Sequence, residues 1–385
     1  MNVGRDLKKV ILIPDSFKGT MSSSEVCAVM DEAVRRYYPE AEIRSIPVAD
    51  GGEGSVDSFL AAVGGEKIVI PAKGPYREDI DGFYGLIDNG KTAVIEMSAC
   101  AGLPRAGNRL RPDLATTYGV GLLMADAARR GCEKIIIGLG GSATNDFGAG
   151  AAAATGIRFL DSEGKPFVPA GGTLSRVARI DPSGLLPEVK RAKIITMCDI
   201  DNPLYGETGA AYVFAPQKGA DPDMVGMLDA QLRAIAETAR RDLGVDVSAL
   251  PGAGAAGGMG GGMAAFFGST LQMGIDIVLD TVRFDDLIKD ADLIFTGEGK
   301  LDVQSLRGKV VVGVARRAKR LRVPVIAVAG ITGDTVDGVY AEGISAVFAT
   351  NRTARSFAQT PLSEWKRDLA FTMDNLMRVI RLGSR

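Results

Sequence analysis

The sequence predicts an α/β protein built on parallel sheets. Three observations carry this. Short β-branched runs of strand length alternate with segments of helical period. The alternation continues from residue 10 to the C-terminal helix. Glycine and acidic residues gather just past the strand ends, where parallel sheets bind ligands because the loops diverge there.

In chain order, residues 10–13 read as a buried strand with the exit loop Pro14-Asp15-Ser16-Phe17-Lys18-Gly19. Ser22 and Glu25 form a capping box opening a helix whose stripe is Val26, Met30, Val34 and Tyr37. A strand at 43–48 ends in Ala49-Asp50-Gly51-Gly52-Glu53-Gly54, and one at 67–70 is expected to stop at Pro71. Further strands are expected at 93–95, 135–137, 194–197, 293–295, 325–328 and 346–348. Asp221 with Pro222 starts a helix striped by Val225, Leu228, Leu232, Ile235, Ala239 and Leu243. The last helix carries Leu362, Trp365, Leu369, Met373, Leu376 and Ile380 at core-facing spacing.

A chain of 385 residues has material for two domains or three. Strands near 10, 43, 67, 293, 325 and 346 are expected in one sheet. That makes 1–75 with 285–385 one α/β domain and 76–284 an inserted one, with the active site in the cleft. A net charge of −2 gives no electrostatic case for nucleic acid or an anionic membrane as partner. No apolar run approaches the roughly 18 residues a membrane span needs, and the N-terminus lacks a signal-like core. Cys27, Cys100, Cys132 and Cys198 have no C-x-x-C spacing, so buried free thiols and a cytoplasmic location are expected. There is no histidine, which excludes Ser-His-Asp triads and His-ligated metals. Acid–base work then falls to Asp, Glu, Lys or Tyr, and any metal is a hard one held by carboxylates.

The loop after the 135–137 strand is the richest segment. Gly138, Gly140 and Gly141 with Ser142 and Thr144 precede an alanine-rich helix. Strand, glycine turn and helix make a phosphate-binding geometry. No Gly-Lys-Ser/Thr closes it, so it is not a P-loop. Gly138, Gly140 and Ala143, with Asp161 about 20 residues on, fit the dinucleotide fingerprint, so an NAD(P)-dependent dehydrogenase stands as the alternative. The tract 252–262, with Gly257 and Gly258, reads as a second ligand-facing loop entering a helix through Met259, Met263, Phe266 and Phe267.

Acidic residues at four strand ends are Asp15, Asp50 with Glu53, Asp199 with Asp201, and Glu298 with Asp302. Each alone suits a cap or turn; together they suit Mg²⁺ binding and acceptance of a hydroxyl proton. Lys18, Lys300 and Lys309 stand beside glycines with Arg307 nearby, placed to clamp phosphate or a carboxylate.

Six ordered segments resemble the bacterial glycerate kinase family that forms 2-phosphoglycerate. They are 13–18, 49–54, 138–144, Cys198-Asp199-x-Asp201-Asn202-Pro203-Leu204, 254–259, and Thr296-Gly297-Glu298-Gly299 with Leu301-Asp302 and Gly308-Lys309. The resemblance implies transfer of phosphate from ATP, with Mg²⁺, to D-glycerate; a kinase of another small hydroxy acid is the nearby alternative. It implies a flavodoxin-like parallel-sheet domain from both chain ends and an inserted restriction-endonuclease-like domain. Monomer or homodimer are both compatible with it. From its place between a strand end and the Asn202-Pro203 turn, Asp199 is the first choice of proton acceptor, with Lys18 and Asp50 catalytic; which glycine loop takes ATP and which glycerate stays open. Gly138, Gly140, Gly141, Ser142, Thr144, Gly257, Gly258, Lys300 and Lys309 are expected to bind nucleotide, and Glu298 and Asp302 to hold the metal. Three residues depart from the family pattern: Leu122, Val311, and Phe147, which stands where glycine is usual and is expected to narrow a pocket.

Overall fold

The computed structural model describes residues 7–48, 51–303, 305–333, 337–353 and 360–382, except the side chain of Arg307. Asp50 lies outside the described residues. In chain order the strands are β1 (Lys9–Pro14), β2 (Glu42–Ser45), β3 (Glu66–Lys73), β4 (Asp79–Ile87), β5 (Thr92–Glu96), β6 (Lys134–Gly138) and β7 (Arg158–Leu160). They continue as β8 (Pro166–Phe167), β9 (Arg179–Asp181), β10 (Lys193–Met197), β11 (Thr270–Gln272), β12 (Leu293–Leu301), β13 (Val325–Thr332) and β14 (Ala346–Ala349). The chain divides into two compact units, one of residues 1–49, 61–63 and 275–385, the other of 50–60 and 64–274.

In the first unit a wholly parallel five-stranded sheet runs β14-β13-β12-β1-β2. β1 has partners on both sides, which is why its Val-Ile-Leu-Ile run is fully buried. The helix Ser23–Tyr37 carries the expected capping box, Ser22 with Glu25. It packs on the terminal helix Leu362–Leu382 around Met30, Val34, Leu369 and Met373. Leu362, expected in the core, is exposed because it is the first residue of its helix.

The second unit holds a six-stranded sheet, β11-β10-β6-β5-β4-β3, and a small sheet β8-β7-β9. Residues 67–70, expected in the first sheet, lie here instead. β3 runs straight through Pro71 and pairs antiparallel with β4, Pro71 opposite Asp81. As an edge strand β3 tolerates the missing N–H. β4 itself was not anticipated, and its antiparallel pairings make this sheet mixed rather than wholly parallel. By this division the first unit takes residues 1–49 and 61–63 where 1–75 was expected, and resumes at 275 where 285 was expected.

Asp221 caps the helix Pro222–Leu243 and Gly244 ends it in a left-handed conformation, as the pattern requires. All four cysteines are free and buried. Among the described residues no helix is long and apolar enough to cross a membrane.

Candidate active site

β6 and β10 are parallel neighbours in register, Met197 opposite Gly138, so their exit loops leave from one place. The recess between them is a cavity of about 330 Å³. Gly140, Gly141 and Ser142 line it from the first loop and Asp199 from the second, with Lys218 and Ala256 completing the wall.

The loop glycines divide by cause. A Cβ on Gly138 would stand 2.3 Å from Gly51 O, and one on Gly140 2.4 Å from Gly52 Cα. Those two are glycine because another backbone crosses them. The Gly140 and Ala143 N–H groups donate to Gly51 O and Ala101 O, so they are committed to backbone rather than facing phosphate. Gly141 differs: its φ is +74°, and a Cβ there would meet only Ser98 Cβ at 3.7 Å. Here glycine serves the turn. Gly257 and Gly258 press on this loop and the core, with would-be Cβ contacts of 2.1 Å to Thr144 O and 2.8 Å to Leu232 Cδ2. Close packing therefore accounts for both. The helix Ala255–Phe267 is broken at Ala256, Gly257 and Gly258, all left-handed. Ala256, with φ +53°, is the strained one.

Lys218 was not anticipated. It ends the turn Pro216–Lys218 and is almost wholly buried. Its Nζ donates to Ser142 Oγ at 2.6 Å and to Thr144 O at 2.7 Å. Burial lowers its pKa to about 7, against an opposing pull from Asp146. Lys218-Gly219 carries the same glycine-context signal that singled out Lys18, Lys300 and Lys309, so the pattern could have found it.

Asp199 is half-buried, and its Oδ1 accepts the Gly274 N–H at 2.7 Å. The turn after it is braced as the sequence suggested: Asn202 Nδ2 donates to Thr208 O and Asn202 O accepts from Gly254. Asp146 plays a structural part. Fully buried, it accepts the N–H groups of Thr117, Gly148 and Gly150 and the hydroxyls of Thr116 and Thr117.

Within the first unit, the expected groups Asp15, Glu298, Asp302 and Lys309 come together at the C-terminal ends of β1 and β12. Glu298 is buried, and that burial, with repulsion from Asp15 and Asp302, pushes its carboxyl up to about 7 against a Ser305 hydrogen bond and Lys309. Its Oε1 has no hydrogen-bond partner among the described residues. Lys300 pairs with Asp302 at 3.2 Å and is exposed. Lys18 is also exposed, and its backbone passes Gly299 closely enough that a Cβ there would stand 3.2 Å from Lys18 N. Lys309 is half-buried at the N-cap of the helix Val310–Leu321. Among the described residues no group of three or more His, Cys, Asp or Glu side chains could by itself hold a metal ion.

The dinucleotide reading loses its supports. The helix after the loop, Ala149–Ala154, has six residues and begins well beyond Thr144. Asp161 lies past β7 in the small separate sheet and binds the N–H groups of Glu163 and Lys165 as a turn residue. Phe147, expected to narrow a pocket, does not line the cavity. Its ring is fully buried edge-on against Phe266, with centroids 5.4 Å apart. Its φ of +58° explains why glycine suits that position.

The family model for the glycerate kinase family matches residues 10–381. A glycerate kinase from Bacillus cereus is 43% identical over 98% of this chain and 99% of its own length. The glycerate 2-kinase of Escherichia coli is 44% identical over 89% of this chain and 90% of its own. A crystal structure from Salmonella typhimurium LT2 that bears the name glycerate kinase 2 superposes with a TM-score of 0.87 at 39% identity, covering 98% of this chain and 99% of that one. The chain belongs to the glycerate kinase family, enzymes that phosphorylate glycerate.

Proposed function

We propose that this enzyme transfers the terminal phosphoryl group of ATP to the C2 hydroxyl of D-glycerate, forming 2-phosphoglycerate and ADP. The observation that carries the reading is the cavity at the ends of β6 and β10, which sets the Asp199 carboxylate and the Lys218 ammonium around one small space. Phosphoryl transfer passes through a loose transition state, so what the protein supplies is positioning, charge and late acceptance of a proton. Asp199, oriented by Gly274, takes the hydroxyl proton as the new O–P bond forms. A volume of about 330 Å³ suits the small acceptor better than a whole nucleotide. Gly141 and Ser142 then line the acceptor's space, and Thr144 supports it through Lys218.

The nucleotide's phosphates are assigned to Lys18, Lys300 and Lys309 in the first unit. Glu298 and Asp302 would hold Mg²⁺, which when bound would offset phosphate charge. Glu298 fits that role: a buried carboxyl with acidic neighbours and an oxygen that has no hydrogen-bond partner among the described residues gains from a cation. Mg²⁺ commonly takes one or two carboxylates and completes its shell with phosphates and water, so a larger acidic set is not required. The wholly parallel sheet of the first unit supports describing it as flavodoxin-like, and the mixed sheet of the second as restriction-endonuclease-like. The enzyme is assigned to the cytoplasm, as a monomer or homodimer.

Coupled ATP turnover over a panel of small hydroxy acids, with the phosphorylated carbon identified by NMR, tests the reading. D-glycerate should be the preferred acceptor and C2 the site. Faster turnover of another acid, or phosphate at C3, would overturn it.

A further inference from the structure

We infer that Lys218 binds the carboxylate of the acceptor, so that the cavity recognises a hydroxy acid by its two ends, the anion at Lys218 and the reacting hydroxyl at Asp199. The inference rests on reading this cavity as the acceptor site. A buried ammonium is costly unless something compensates it. Here it meets only two neutral acceptors, Ser142 Oγ and Thr144 O, and among the described residues it has no ion-pair partner. An ammonium carries three donors, so beyond these two bonds one N–H has no partner among the described residues, in a lysine that lines the cavity. The Asp146 carboxylate that acts on it from a distance already accepts five hydrogen bonds. When Lys218 is charged, it therefore lacks a directly bonded anion among the described residues.

The ligand that supplies it is constrained by Asp199 in the same cavity. A triphosphate would bring several negative charges against that carboxylate, with a single lysine to offset them. A monoanion carrying a hydroxyl matches both walls, since the hydroxyl donates where the carboxylate accepts. Ser142 links the two functions: one loop residue both lines the cavity and holds the lysine that reads the substrate.

The test is steady-state kinetics of the full-length enzyme carrying Lys218→Met, with Lys218→Gln as a second neutral variant that can keep the bonds to the loop. Melting curves establish that each is folded. Losing a charge-assisted hydrogen bond should raise the KM for D-glycerate about 10- to 100-fold. The KM for ATP should stay within about twofold. Glyceramide, which lacks the anion, gives the sharper readout: the wild type's preference for glycerate over glyceramide should collapse in both variants. An unchanged KM for glycerate, an ATP KM raised by the same factor, or a preserved preference for the acid would each overturn the inference. Gly141→Val separates this from failure of the underlying reading. If it raises the glycerate KM while the Lys218 variants do not, the cavity is the acceptor site and Lys218 is not its anion binder. If neither change affects glycerate, the cavity assignment itself falls.

Discussion

Lys218 and Ser142, 76 residues apart in sequence, meet at 2.6 Å through Nζ and Oγ. The contact ties the turn after Ala215 to the loop after β6 and puts a cation where folding alone does not favour one. Its folded pKa lies near 7, below the ordinary 10.5, so folding disfavours the charged form relative to the unfolded chain. The stability linked to this group is present above pH 10.5 and is lost as pH falls through about 7. Lys218→Met removes that loss. The melting temperature of the variant relative to wild type should be more favourable at pH 6.5 than at pH 9.5. A difference independent of pH would count against a strained buried charge.

Glu298 gives the opposite sign. Its folded pKa is raised from 4.5 to about 7, so its contribution is fully present below pH 4.5 and is lost as pH rises through 7. Glu298→Gln should therefore raise the melting temperature of the ligand-free protein at pH 8 and change it little at pH 4.5. Adding Mg²⁺ at pH 8 should stabilise wild type and not the variant. Equal stabilisation of both would remove Glu298 from the metal site.

Phe147 combines a left-handed backbone with a core ring. Truncation to Ala loses the packing, a cost of about 3–5 kcal/mol, and keeps the strained φ. Truncation to Gly loses the same packing and relieves that strain, worth about 1 kcal/mol. The Gly variant should be the more stable of the two by about that amount in urea denaturation, reversing the usual order. If Ala were the more stable, the φ at 147 would not be left-handed in solution.

Asp199→Asn should lower kcat by about 10²- to 10⁴-fold with little change in Mg²⁺ dependence, whereas Asp302→Asn should raise the Mg²⁺ needed for half-maximal rate. Rescue of the Asp199 variant, and not the Asp302 variant, by added Mg²⁺ would mean that the two roles are exchanged.

Much of the architecture was legible because it is local. The capping box at Ser22, the cap at Asp221 and the β-branched runs of β1, β6 and β10 each specify their element from a few adjacent residues. The extent of β3 escapes the sequence for a local reason too. A proline reads as a strand end, and only the edge position of β3 lets the ladder run past it.

The sequence alone determined that this is an α/β glycerate kinase without histidine chemistry, and that glycine and acidic residues gather at its strand ends. Tertiary structure decided what each glycine is for. Gly138, Gly140, Gly257 and Gly258 resemble a phosphate loop on paper, yet distant segments occupy the space a side chain would need, by backbone at the first three and by the Leu232 side chain at Gly258. It also decided which lysine of the second unit lines the cavity. Lys218 looks like an ordinary turn residue until Ser142 and Thr144, brought against it by the fold, bury its charge at the wall of a cavity. Burial and long-range approach depend on the whole packed chain, and no short stretch of sequence encodes them.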